Sequence, residues 1–557
     1  MAAAPLVEVN DLTFRYRRAS EPAVRGLSLS VEPGEVVLVA GPSGCGKSTL
    51  LRAINGLVPH AYPGELSGKV QVDGRPTAEL RLREIAQVVG TLLQDPAKQI
   101  VGATIESELA FGPENFGIAP GAIAERIRDV VAETRIGHLA GRETAYLSGG
   151  EQQLLAMAGA LMLRPRCYVV DEPLANLDPA TAHHLLGLLR DLADAGHAIV
   201  IVEHRVEEAL ELRPDRVLAM DEGRATYLGP LAGFLDVADP MAVKLPFEVV
   251  LSRARAGALA AAQPRNGAGH DPGASRLAFD EVHVTLGDRH VLRGVSADLG
   301  ARQAVAVLGP NGSGKTTLFR TALSLVETDA GAVRIDGTDI RGRPIAELAR
   351  SIGYVFQSPS QMLFARTVRE ELLFGPRNLE LSIGDPDPFA MEALRRTGLA
   401  DVEGILDRPP LTLSFGQQKR LAIAIGLALQ PRTLILDEPS AGQDHRTAEA
   451  FMGAVEDIPG LESLYFVTHD VDLALTHADR ILVLRDGRIV ADGPPATVVE
   501  DEELWRSSNL HRTSLIAANI SWSGRSGTRF LDAPTLATRM VASERSTEGV
   551  GGSTAGA

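Results

Sequence analysis

Short apolar runs, most of them rich in β-branched residues and each closed by glycine or charged residues, set the rhythm of this chain. Residues 35–40 read Glu-Val-Val-Leu-Val-Ala, 167–170 Cys-Tyr-Val-Val, 198–202 Ala-Ile-Val-Ile-Val and 304–308 Ala-Val-Ala-Val-Leu. Such runs, bounded by turn signals, predict buried parallel strands. Before the first of them, 7–9, 12–16 and 27–31 predict further short strands, with a turn at Pro33 and Gly34. A looser stretch at 58–64 precedes a strand at 68–74. Residues 98–150 have helical periodicity interrupted by Gly112, Pro113 and Gly117, which predicts a helical insertion in an α/β domain.

The run at 35–40 leads into Gly41, Pro42, Ser43, Gly44, Cys45, Gly46, Lys47, Ser48 and Thr49, and a helical run follows. Glycines at this spacing let backbone N–H groups close around phosphate oxygens, where a Cβ would obstruct the approach. Lys47 would reach the β/γ-phosphates, Ser48 would ligate Mg²⁺, and the helix N-terminus adds partial positive charge. A chance Gly-rich turn can match the same pattern; a strand before and a helix after select the phosphate loop. The device returns 268 positions later as Gly309, Pro310, Asn311, Gly312, Ser313, Gly314, Lys315, Thr316 and Thr317, after the run at 304–308. A repeat of that length is a duplicated domain.

Composition narrows the class. A chain of 557 residues with 45% apolar content predicts packed globular domains: three or four ordinary ones, or two large ones with a linker and tail. Its 71 acidic against 55 basic side chains disfavour a nucleic-acid or anionic-membrane partner. Cys45 and Cys167, the only cysteines, cannot build a disulfide framework or a four-thiolate metal site. Both read as small residues in a reducing cytosol. The N-terminus has no basic-then-apolar signal, and no run approaches the roughly 20 apolar residues of a membrane span. The expectation is a soluble, cytoplasmic chain whose contact with a membrane comes only through partners. From 252 to 275 the composition turns to Ala, Gly, Arg and Pro, a flexible linker. The expected organisation is a first domain at 1–250, the linker at 251–275, a second domain at 276–517, and a disordered tail at 518–557.

Further pieces follow each phosphate loop in one order. The first half has Gln94, then Leu147, Ser148, Gly149, Gly150 and Glu151, then Asp171-Glu172-Pro173, Asn176, Asp178 and His204. The second has Gln357, then Leu413, Ser414, Phe415, Gly416 and Gln417, then Asp437-Glu438-Pro439, Gly442, Asp444 and His469. Together these residues resemble the nucleotide-binding domains of ABC transporters, over nearly all of 6–517. The resemblance implies two tandem phosphate-loop ATPase domains of α/β class, each with a helical subdomain and an N-terminal antiparallel β-subdomain, using ATP and Mg²⁺.

It also implies roles. Asp171 and Asp437 would hold the Mg²⁺ shell with Ser48 and Thr316, and Glu172 and Glu438 would orient or deprotonate the attacking water. Gln94 and Gln357 would touch metal and water, and His204 and His469 would bond the γ-phosphate. A lone histidine after a strand is more often structural; two in register favour the functional reading. Ser148, Gly149 and Gly150 would close on the phosphates bound at Lys315, and Ser414, Gly416 and Gln417 on those at Lys47, in a head-to-tail sandwich. Two residues depart from the pattern. Phe415 replaces the first signature glycine, which displaces one amide contact or leaves Ser414 and Gly416 in place. Tyr16 would stack on adenine, or serve only as a strand aromatic, while the matching place in the second half holds Leu286. Neither change removes a carboxylate, so both sites read as hydrolytic.

The stretches Gln94 to Gln99 and Glu108 to Asn115, repeated more loosely at 357–361 and 371–378, resemble the ATPases of energy-coupling factor (ECF) importers of vitamins and transition-metal ions. That implies a membrane scaffold subunit and a separate substrate-binding membrane protein as partners, and a peripheral position on the cytoplasmic face of the cell membrane. Residues 55–60 and 64–68 resemble fused members linked to thiamine precursors. The alternative, a soluble tandem ATPase acting on ribosomes or DNA, fits less well, because 252–275 is short and Gly/Ala-rich where such factors have a long charged helix.

Overall fold

The computed structural model describes residues 4–17, 19–174, 177–259, 274–441, 443–522 and 530–551. The chain forms two compact units, one of Met1–Val249 with Asp444–Arg446 and one of Val250–Gln443 with Thr447–Ala557. Each is built from one six-stranded and one four-stranded sheet.

In the first unit the buried runs become the central strands Val36–Ala40, Cys167–Asp171 and Ala198–Val202, every residue of which is buried. Val36–Ala40 pairs in parallel with Ala198–Val202 on one side and with Arg216–Asp221 on the other. Covered on both faces, such strands need continuous β-branched residues rather than alternation. The second sheet is antiparallel: Val7–Tyr16 lies between Val24–Val31 and Gly64–Val72. Its strands alternate buried and exposed positions, and their inner face joins the core of the main sheet through Val7, Val9, Leu12 and Phe14. Helices Ile105–Asn115, Pro120–Glu133 and Gly149–Leu161 form the helical insertion. The looser stretch at 58–64 is narrower than expected, with a short helix at Leu57–His60 and the strand beginning at Gly64.

The second unit repeats the plan. Ala304–Leu308 pairs in parallel with Ser463–Val467 and Arg480–Arg485, and Ser275–Leu286 pairs antiparallel with Arg289–Gly300 and Ala330–Ile335. Helices Val368–Asn378, Pro386–Arg396 and Phe415–Ala428 share a separate apolar core.

Two expected boundaries move. Helix Phe247–Arg255 runs through the boundary set at 250, because Phe247 and Val250 are buried and the helix is amphipathic. Most of the expected linker, 260–273, lies outside the described residues. The tail from 518 is also corrected. Helices Ser514–Ser521 and Ala533–Gly551 occupy it, and Ile516, Phe530, Leu536 and Ala537 are buried. Asn519 ties the two segments by exchanging hydrogen bonds of 2.9 Å with the backbone of Leu531. Ser/Thr/Gly richness at the far end hid these few anchoring apolar residues.

The second unit also buries a charged cluster. His477, fully enclosed, sits 3.1 Å from Glu449 and 3.2 Å from Glu456. Burial alone would strip its proton, but the two carboxylates win and raise it to about 9. Because the folded value lies above the unfolded one, the stabilisation is complete below about pH 6.5 and is lost as pH rises through about 9, an effect of order 3 kcal/mol. The thermal midpoint of the second unit should therefore fall across that window. His477→Leu, which installs the residue found at the matching Leu212, should flatten the fall. Identical pH profiles for the two proteins would exclude this cluster as the cause.

Candidate nucleotide site

Each phosphate loop lies between a central strand and the helix that follows, Lys47–Ile54 in one unit and Lys315–Thr321 in the other. Gly41 and Gly309 have φ 147° and 144°, and a Cβ there would lie 2.1 Å and 2.0 Å from the carbonyl oxygens of Met220 and Leu484. Only glycine permits that approach, so the loop is pressed against the neighbouring strand. Lys47 Nζ donates to the carbonyls of Gly41 and Pro42, both at 2.8 Å; Lys315 does the same to Gly309 and Pro310 at 2.7 and 2.9 Å. Ser43, Gly44, Gly46, Asn311, Gly312, Ser313, Gly314 and Thr317 complete the two loops and first turns. Cys45 is buried, and burial raises its thiol. Cys167 is buried too, and burial raises its thiol to about 12.

The carboxylates stand at the ends of the central strands, beside the loops. Ser48 lies beside Asp171 and pulls its carboxyl down, and Thr316 Oγ1 donates to Asp437 Oδ1 at 2.9 Å. Burial and the adjoining Glu172 raise Asp171 to about 6; Asp437 is raised by burial and the adjoining Glu438, against the pull of Thr316 and Tyr354. Glu172 and Glu438 behave oppositely. Burial pushes them up, but His204 on one and His469 on the other, helped by Lys47 and Lys315, hold both below the usual carboxylate range. His204 Nε2 lies 3.0 Å from Glu172 Oε1, and Gln94 Nε2 donates to Glu172 Oε2 at 2.8 Å. His469 Nε2 lies 3.0 Å from Glu438 Oε1. Gln357 is exposed just beyond strand Ile352–Val355. Asn176 and Gly442 lie outside the described residues.

Ser148, Gly149 and Gly150 belong to another element, the start of helix Gly149–Leu161. There Ser148 Oγ accepts the Glu151 N–H and the Glu151 carboxylate accepts the Ser148 N–H. Ser414 and Gln417 form the same reciprocal cap on helix Phe415–Ala428. Gly416 lies in its first turn, and the side chain of Phe415 falls outside the described residues. Tyr16 closes strand Val7–Tyr16, and its hydroxyl lies 3.0 Å from Thr49 Oγ1 and accepts from Arg52 at 3.1 Å, fixing the ring beside the phosphate-loop helix. Leu286, its counterpart, is about half exposed.

Several residues around the site escaped sequence reasoning. Tyr354 donates to Asp437 Oδ2 at 3.0 Å. Glu203 is buried, and burial raises it to about 7; Lys419 is buried, and burial lowers it to about 7. Glu203 directly follows the apolar run 198–202 and reads as its charged stop, Lys419 stands among Gln417, Gln418 and Arg420, and Tyr354 lies in an apolar run.

Duplicated phosphate loops, each with a paired carboxylate at a strand end, define a nucleoside-triphosphate hydrolase class. The ABC transporter family model matches this chain twice, at residues 24–175 and 292–441. An ABC transporter ATP-binding protein of Streptococcus mutans is 32% identical over 92% of this chain and 95% of its own length. One from Methanosarcina acetivorans is 31% identical over 92% of this chain and 88% of its own, and one from Bacillus cereus 31% over 92% and 94%. Among solved structures, cbiO1 from Clostridium perfringens, described as part of the ABC transporter complex cbiONQ, is 33% identical. It covers 42% of this chain and 94% of its own, with a TM-score of 0.37. The chain belongs to the ABC transporter ATP-binding proteins and is an ATPase with two ATP-binding domains. Among the described residues no helix is long and apolar enough to cross a membrane.

Proposed function

We propose that the chain is the energising subunit of an ECF-type importer, held on the cytoplasmic face of the membrane by a membrane scaffold subunit that engages a separate substrate-binding membrane protein. The observation that carries this is a duplicated apolar surface. Tyr62, Leu82, Val101 and Phe111 are exposed in the first half, and Leu325, Ile345, Phe364 and Phe374 in the second, every pair 263 positions apart. Scattered exposed apolar residues are ordinary, but the same four positions exposed twice point to a shared partner. Each loop after the glutamine is preformed by a buried glutamate. Glu108 accepts the N–H groups of Val101 and Gly102 at 2.8 and 2.6 Å, and Glu371 those of Phe364 and Ala365 at 2.9 and 2.8 Å. Two like surfaces suit two amphipathic helices of one scaffold. The solute is a vitamin or a transition-metal ion, thiamine precursors being the class that 55–68 resembles.

In hydrolysis, Lys47 and Lys315 bind phosphate oxygens, with the loop amides around them. The donor set fits a hard divalent cation such as Mg²⁺: hydroxyls of Ser48 and Thr316 beside Asp171 and Asp437, with Asp171 Oδ1 buried and without a hydrogen-bond partner among the described residues. The cation, when bound, neutralises phosphate charge. Glu172 and Glu438, held ionised, orient or deprotonate the attacking water. His204 and His469, aligned by those glutamates, face the γ-phosphate, and Gln94 and Gln357 link the site to the loops that carry the exposed surface. The signature residues Ser148, Gly149 and Gly150, and Ser414, Gly416 and Gln417, serve the site of the opposite half.

The test is co-purification. Co-expressed with the membrane proteins encoded beside it, the chain should partition with membranes and elute with a hydrophobic partner. Phe111→Glu with Phe374→Glu should reduce that association at least about tenfold, since each buries a charge in an apolar contact. Sedimentation with ribosomes in place of membranes would reject the proposal.

A further inference from the structure

The loop after each strand-end glutamate is fastened differently in the two halves. Glu172 and Glu438 both lie in the left-handed region, with φ 45° and 54°. A non-glycine residue stays there only where its surroundings over-determine it. One side of the turn is held alike: the N–H groups of Glu172 and Glu438 donate to Val202 and Val467 of the adjacent strand, both at 2.9 Å.

The other side differs. In the second half Lys419, 1% exposed, reaches across from helix Phe415–Ala428 and donates to the carbonyls of Glu438 at 2.5 Å and Ala441 at 2.8 Å. The matching residue of the first half is Gln153, equally buried, and neither of its amide atoms has a hydrogen-bond partner among the described residues. There the loop is held from the strand that leads to His204. Glu203, 2% exposed, accepts the Leu174 N–H at 2.9 Å, and Arg205 donates to the Leu174 carbonyl at 3.2 Å. The second half has Thr468 at the place of Glu203, whose hydroxyl comes only within 3.4 Å of Ser440.

Resting on the reading of Glu172 and Glu438 as the hydrolytic carboxylates, we propose that Glu203 and Lys419 are positioning residues, each holding the carboxylate of its own half in line for hydrolysis. Lys419 grips the carbonyl of the very residue whose carboxylate must be placed, so without it the left-handed turn relaxes and the side chain swings away. Glu203 grips the same loop two residues further on. The two halves thus keep one carboxylate geometry by unrelated means, and each should be sensitive to a different substitution.

The experiment uses the full chain. With Glu172→Gln present, turnover belongs to Glu438. There Lys419→Gln should lower kcat about tenfold or more with KM for ATP little changed, because small misplacements of a reacting group cost up to about a hundredfold. With Glu438→Gln present, Glu203→Ala should produce that loss. Glu203→Gln, whose amide oxygen can still accept the Leu174 N–H, should restore most of it. If one glutamate variant silences both sites, the same substitutions are read in the otherwise unaltered chain, as a kcat loss without a KM change and as rescue by Glu203→Gln. Equal losses from Lys419→Gln in both backgrounds, losses through KM alone, or unaltered kcat would each overturn the proposal. Turnover surviving in the Glu172→Gln, Glu438→Gln double variant would mark a different failure, that of the hydrolytic reading itself.

Discussion

Replacing Glu172 and Glu438 together by glutamine should leave a chain that binds ATP and does not turn it over. Glutamine keeps the size of the side chain and its capacity to bond with Gln94 and His204, so the cradle at Lys47 and Lys315 stays intact. What it loses is the negative charge. Both carboxylates are buried, yet the histidines and lysines around them hold them ionised. Loss of a positioned acid–base group costs about 10²–10⁴-fold in rate, so the double variant should fall to background while nucleotide binding, read by fluorescence titration, is preserved. Steady-state turnover within about tenfold of the parent would sink the assignment of both residues.

The second large effect is expected at the signature helices. Ser148→Arg should block the site that contains Lys315, and Ser414→Arg the site that contains Lys47. In the proposed head-to-tail arrangement, an arginine at either position would place a bulky cation where a helix N-terminus presents its amides to an anion. Losing the Ser148 or Ser414 cap costs only about 1 kcal/mol, too little to unfold the helix, so the block should be local. Nucleotide trapping at each phosphate loop, followed by proteolysis between the halves, should give the crossed pattern, with the blocked site retaining at most about one hundredth of the parent signal. A same-half pattern, Ser148→Arg silencing the Lys47 loop, would rule out the head-to-tail arrangement.

Much of this site is legible in the order of residues alone. A phosphate loop is local: nine consecutive residues carry its glycines, lysine and hydroxyl, and the strand and helix that frame it are immediate neighbours in the chain. The strand-end carboxylates and the cap residues Ser148 and Ser414 are local in the same sense, because a buried run or a helix start announces them. Duplication adds a check that no single motif could, since two copies with nearly constant spacing leave little room for chance.

What the sequence determined by itself, then, was every feature whose partners lie within a few residues: the two ATPase domains, their loops and the identity of the strand-end acids. Tertiary structure alone decided the contacts made across long separations. Lys419 reads in sequence as one more polar residue after the signature, and only packing brings it to the carbonyl of Glu438, 19 positions away. Glu203 reads as a surface carboxylate until the sheet buries it against Leu174, 29 positions back. The tail looked unstructured because its composition averages away Phe530, Leu536 and Ala537, which are buried, Phe530 in a core that begins as early as Ala304. Local chemistry is written in neighbouring letters, whereas burial is a property of the assembled fold, and burial is what turns a lysine, a glutamate or a phenylalanine into a structural tie.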